Sequence, residues 1–467
     1  MNKVICTGKY IFGLIATVVL SAVLLLGGCS SNGDKNVKQA DKTAKGNRQN
    51  AVMNIYIPSI DNKTINAIEE FNSTNSVKIK PIMLENEDQG KQYREKIVAA
   101  IVSGDGPDII LDNAQWFPAL WKMAGNKAFQ DFDELIKKDE EFKLEDYRES
   151  VMNAGIVNGK RYFLPLGFDI PLFWTTKNLA KQNGIQIDDS NFTWNDFEKL
   201  ASKSIGKSGK ESKKYFVGLD FSFADIFRSS WLKWIDLKNK KTNFTSDEFI
   251  SLLEMYKRIY STICPNEEIW KYTDYHFGLL KNNSLILVDG NQLTAPEQLW
   301  TDNSIADRYL DSEIEISPYP TIDVDDKYSS QISRFAAIGI YSKYKNEAFS
   351  FIKLLLSDKY QASNIVDSYS LAPVKKLSFE KMIKKYTGEA GGSQKITWNQ
   401  KEYRSVSIPQ ELTSRINKYI NAVDFELMDS NIVEIVDLEV KAYISGKQHA
   451  KQTAAAIDQK VTLYLNE

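Results

Sequence analysis

The chain has 467 residues, 43% hydrophobic and 12% aromatic, and a formal net charge of −2. That length exceeds what one hydrophobic core serves, so two domains or lobes are expected. The charge balance excludes the basic footprint of a nucleic-acid binder, and three cysteines, Cys6, Cys29 and Cys264, make no disulfide framework.

Lys3 and Lys9 precede an apolar run from about Tyr10 to Leu26, and no acidic residue occurs before Asp34. The run is slightly short of the roughly 20 residues that a spanning helix needs. It ends in Leu26-Gly27-Gly28-Cys29. This resembles the lipobox of bacterial lipoproteins, which implies cleavage before Cys29 and a diacylglycerol on its thiol. The alternative is an uncleaved anchor with an incidental cysteine. Residues 30–50 are polar, lack aromatics and carry five cations against two acids. They read as a flexible tether. With Cys6 removed and Cys29 acylated, Cys264 has no partner and reads as a small buried apolar residue.

Residues 51–59 form a short β-like run, and "TINAIEEFNST" follows with helical spacing. "VKIKPIML" alternates like a strand, "QYREKIVAAIVSG" is amphipathic, and "PDIILDN" is a third strand. The order β-α-β-α-β predicts a parallel sheet covered by helices, with ligand beyond its carboxyl edge. That edge includes Pro58-Ser59, Glu85-Asn86 and Asp112-Asn113. A second block begins near Gly159, with a strand over residues 170–175. In "NFTWNDFEKLASK", Thr193 is an N-cap with Asp196 three residues on. "KYFVGLD", "SLILVDG", "EIEISPYPTID" and "FAAIGIYS" add strands. "YTGEAGGSQK" is a loop, and the last hundred residues read as mainly helical.

Several motifs then agree in order. "IVSGDGPDIIL", "WFPALWKMAG" with "FDEL", "NGKRYFLPLGFDIPLFWTTKNLAKQNGI", "FTWNDFEKLA", "LILVDGNQL", "AAIGIYSKYKNEAFSFIKLLLS" and "LAPVKK" are joined by a closing helix pair. Together they resemble the extracellular solute-binding lipoproteins of bacterial ABC importers, in the sugar-binding family related to maltose-binding protein. The resemblance implies an α/β, two-lobed periplasmic-binding-protein-like fold of type II. Each lobe would be a mixed or parallel sheet flanked by helices, with a ligand cleft between them. It implies a signal peptide over 1–28, a tether over 29–50 and a first N-lobe part over 51–163. A first C-lobe part would span 164–312, a second N-lobe part and crossover 313–366, and a mainly helical second C-lobe part 367–467. It further implies a monomer without cofactor or metal, held by its lipid on the outer face of the cytoplasmic membrane of a Gram-positive bacterium. Such a protein captures a carbohydrate, an oligosaccharide, and passes it to the transmembrane subunits of an ABC permease. The sequence leaves open a lipoprotein that presents ligand to a membrane receptor kinase, and a non-sugar solute.

No HExxH, CxxC, GxSxG or P-loop occurs, so nothing calls for an enzyme. The ligand-binding candidates are Trp116, Phe168, Asp169, Trp231, Gln292 and Arg334. Trp116 either stacks on the ligand or packs at a helix start. Phe168 and Asp169 precede a strand, where Asp169 either accepts hydroxyl hydrogen bonds or is a surface acid. Trp231 and Trp234 share a helical face, with Trp231 favoured for the cleft and core packing as the alternative. Gln292 stands where the family often has a tryptophan. Arg334 stands where it often has small residues. Arg334 either pairs with an acidic ligand group or belongs to a surface ion pair.

Overall fold

Ten strands make up two main sheets in the computed structural model, which describes residues 51–58, 61–83, 90–205, 213–324, 327, 329–362 and 371–467. Cys29 and the tether lie outside the described residues, as do Ser59 and Glu85-Asn86. In chain order the strands are β1 (Val52–Ile57), β2 (Lys78–Met83), β3 (Ile109–Asn113), β4 (Leu164–Phe168), β5 (Leu172–Thr176), β6 (Tyr215–Gly218), β7 (Leu285–Asp289), β8 (Ile314–Pro318), β9 (Ser329–Ile338) and β10 (Asp424–Glu426).

The first sheet has the order β10-β9-β3-β1-β2, with β4 also on β9. β1 is parallel to both neighbours, placing Ile55 opposite Pro81 and Ile109. The helices Asn62–Thr74 and Gly90–Ser103 make the two crossovers, as the alternation of periods predicts. β9 runs antiparallel to β3, and its other edge pairs with β10 and then with β4. The second sheet has the order β8-β5-β7-β6, with only β6 and β7 parallel. All five residues of β5 are buried, because both faces of this sheet are covered. Phe173, Phe216 and Ile286 pack to one side, and Trp174, Tyr215 and Leu285 to the other.

The chain passes from the first sheet to the second through residues 169–171, returns to the first between β8 and β9, and after β10 passes through residues 427–429 into the second lobe. The last crossing leads into the helix Ser430–Ile444, whose Ile432, Val433 and Val436 pack in the second lobe with Phe173 and Trp231. These crossings move the expected lobe boundaries. Residues 164–168 pair in the first sheet instead of opening the C-lobe, since Pro165 and Gly167 hide a strand that tertiary pairing makes. Residues 314–318 belong to the second sheet instead of the N-lobe. Residues 424–426 return to the first sheet within a stretch expected to be C-lobe. β9 begins at Ser329, ahead of the apolar "FAAIGIYS", because its first three residues are polar.

Local chemistry accounts for helix starts. Thr193 and Asp196 cap the helix Trp194–Ile205 reciprocally, as read from the sequence. The last hundred residues hold four long helices and also a hairpin, Lys395–Trp398 with Lys401–Arg404. The expected loop at Tyr386–Lys395 contains a short helix, Gly388–Gly391. Cys264 is a buried free thiol. His276 is buried against Trp174 and Phe277, and burial pushes its imidazole down to about 4.

Candidate functional site

A cavity of about 840 Å³ opens between the lobes, at the carboxyl ends of β3, β6 and β7. The first lobe contributes Lys91 and Arg94 from the helix Gly90–Ser103, with Asn113 at the end of β3 and Gln115 and Trp116 beyond it. The second contributes Asp220, Asp225 and Arg228 after β6, and Asp289, Asn291 and Gln292 at the end of β7. Asp169 comes from the first crossing, and Ser430, Asn431 and Glu434 follow the third.

Trp116 is 44% exposed. The Arg94 guanidinium sits 5.5 Å from its ring centroid. Arg94 itself is held by two hydrogen bonds to Asp112, at 2.7 and 2.9 Å, and Asp112 is buried. The indole is therefore a positioned plate and not a loose surface ring.

Three carboxylates line the floor. Asp225 accepts from the Ser222 amide and hydroxyl, both at 2.8 Å, closing a capping box on the helix Phe223–Ser230. Arg228, one turn on, donates to Asp225 at 3.0 Å, and its Nε is buried without a hydrogen-bond partner among the described residues. Ser333 donates to Asp169 at 2.8 Å. Asp289 is raised well above the ordinary carboxylate range by burial and then by the charge of Asp225. Burial also pushes Asp169 up to about 6, opposed by Ser333 and Arg228. Such a group costs stability above that pH, where it is charged in both states. The cost fades as pH falls towards the unfolded value near 4. Asp169→Asn should therefore stabilise the ligand-free protein at pH 8 by on the order of 1 kcal/mol, since cavity water softens the burial, and by nothing at pH 4. Equal melting curves for parent and variant at pH 8 would refute this.

The structure brings Trp116, Asp169 and Gln292 together at the cavity. Phe168 is not among its lining residues. Its ring is fully buried, edge-on to Phe425 at 5.4 Å, because β4 turns it into the first sheet's core. Trp231 is 1% exposed within the second lobe's core. The helix tightens into a single 3₁₀ turn, Trp231–Lys233, and both tryptophans go inward; Trp234 lies against Phe249 at 5.1 Å. From the helix just before them, Asp225 and Arg228 reach the cavity instead. Arg334 also falls outside the lining. It pairs with Asp61, the N-cap of the helix Asn62–Thr74, and donates to Thr64 at 2.9 Å.

Sequence reasoning missed Arg94, Asp225, Arg228 and Asp289. For Asp289 a signal existed, since it ends a strand whose carboxyl edge faces ligand in such sheets. Arg94 gave none, because on its helix it reads as one more solvated cation.

A family model for bacterial extracellular solute-binding proteins matches residues 58–362. The chain belongs to that family. Membership places its work outside the cytoplasmic membrane, in the capture of solutes. The family member is also similar in fold to several solved proteins. One is the ABC substrate-binding protein Lmo0181 of Listeria monocytogenes in complex with cycloalternan, 13% identical over 89% of this chain and 99% of that one, with a TM-score of 0.63. Another is the sugar-binding protein MalE of Xanthomonas citri, 15% identical over 89% and 98%, with a TM-score of 0.64. A third is maltose-bound MalE3 of T. maritima, 12% identical over 89% and 100%, with a TM-score of 0.61. They share the two-lobed architecture expected from the sequence.

Proposed function

We propose that this solute-binding protein captures an oligosaccharide between its lobes and delivers it to an ABC importer from a lipid anchor at Cys29. One observation carries the reading: an indole plate stands over a cavity floored by carboxylates, in a volume that suits several sugar rings. Sugars offer apolar CH faces to the plate and hydroxyl donors to Asp169, Asp225 and Asp289. The cycloalternan and maltose held by similar proteins support the class. Arg334 was the ground for an acidic ligand, and its engagement with Asp61 favours a neutral one.

Closure would follow from the ligand's greater affinity for the closed arrangement. Lys91 and Glu434, 2.5 Å apart, already join the two lobes beside the cavity. A thermal-shift screen of neutral and acidic oligosaccharides tests the reading, since a ligand of the native state alone raises the melting temperature. Neutral glycans should stabilise the protein. Silence across both sets would overturn the carbohydrate assignment, and a mature N-terminus upstream of Cys29 would remove the anchor.

A further inference from the structure

A second cavity, of about 520 Å³, lies between the helices Lys376–Tyr386 and Gln410–Ala422 and shares no lining residue with the solute cavity. We infer that it binds a phosphate-type oxyanion on Arg148, whose guanidinium lies within cation–π reach of two phenylalanine rings, with its Nε buried and unpartnered among the described residues.

The Arg148 guanidinium carbon stands 4.6 Å from the Phe379 ring centroid and 5.7 Å from that of Phe168. Among the described residues no carboxylate lies within ion-pair distance of it; Glu380 acts on it only through longer-range charge. A half-buried cation without a carboxylate partner is costly, and the planar fork packed on these rings is the donor set an oxyanion fits. The rest of the lining agrees. Lys376, Phe379, Glu380, Ile383 and Lys384 recur at three- and four-residue spacing, so one stripe of a single helix faces the cavity. Three cations stand there against one carboxylate. The excess of two positive charges matches a phosphate dianion. Asn417, from the facing helix, adds an amide.

Two sources share this chemistry: free phosphate, and the phosphate ester of a lipid headgroup beside an anchored protein. The test is calorimetric titration of inorganic phosphate, and separately of glycerol 1-phosphate, into the purified protein at constant ionic strength. Saturable single-site heat is expected. Arg148→Gln should weaken it about tenfold or more, the scale of one charge-assisted hydrogen bond. The exposed Lys384→Gln should weaken it less, and it carries the comparison should Arg148→Gln not fold. Tighter binding of the ester supports the site with a headgroup as its occupant. Tighter binding of inorganic phosphate supports it with a soluble one. No saturable heat with either probe, or equal heat in both variants and the parent, overturns the site. Neither result depends on which solute the cleft takes.

Discussion

Trp116→Ala is expected to lower the affinity for the proposed oligosaccharide roughly thirtyfold, which is about 2 kcal/mol. The loss combines the apolar sugar face left in water with the stacking geometry. Stability should change little, because the ring is 44% exposed. The indole is oriented through Arg94, and Arg94 through its paired hydrogen bonds to Asp112. Arg94→Lys therefore supplies a graded control. It keeps the charge but loses the fork, so it should weaken binding less than Trp116→Ala does. Titration by tryptophan fluorescence is compromised when the reporter is removed, so calorimetry is the measurement. Unchanged affinity in Trp116→Ala would show that the plate faces solvent and not ligand.

What the sequence made legible depended on how local the signal was. The three parallel strands β1 to β3 and their crossover helices carry short apolar or alternating runs and period-3.6 patterns within single windows, and they stand where the patterns put them. The Thr193–Asp196 cap was legible for the same reason. β4 and the polar start of β9 were not, because pairing between segments far apart in the chain makes them strands. The site divides likewise. Trp116, Asp169 and Gln292 follow strand ends, where topology exposes side chains to a cleft. Trp231 and Phe168 were read by residue type, and an aromatic residue near a cleft is more often the wall's filling than its surface. Arg228 needed the third dimension, since only the fold sets its charge beside the carboxylate of Asp169 on the first crossing.

Arg334 is where this distinction has its largest energetic consequence. Arg334→Ala should destabilise the protein by about 3 kcal/mol, since removing one partner of a largely buried pair strands the other charge. Asp61 is 8% exposed, and it both caps the helix Asn62–Thr74 and receives Arg334 from the central strand β9. Burial alone would raise the Asp61 carboxyl. Arg334 and Thr64 outweigh it and hold the carboxyl below its ordinary value. The sign follows. The pair's contribution is complete above the unfolded carboxylate value near 4 and is lost as pH falls through the lower folded value. Parent and variant should thus differ most at neutral pH and converge in acid. Adding Asp61→Asn to Arg334→Ala should recover part of the loss, because asparagine still caps the helix and leaves no charge behind. Oligosaccharide affinity should be untouched throughout, the guanidinium being spent on the helix and not on the cavity. Denaturant melts at two pH values with a binding isotherm for each variant decide it. Parental stability together with weakened binding would put Arg334 back among the ligand contacts and make an acidic sugar the better candidate.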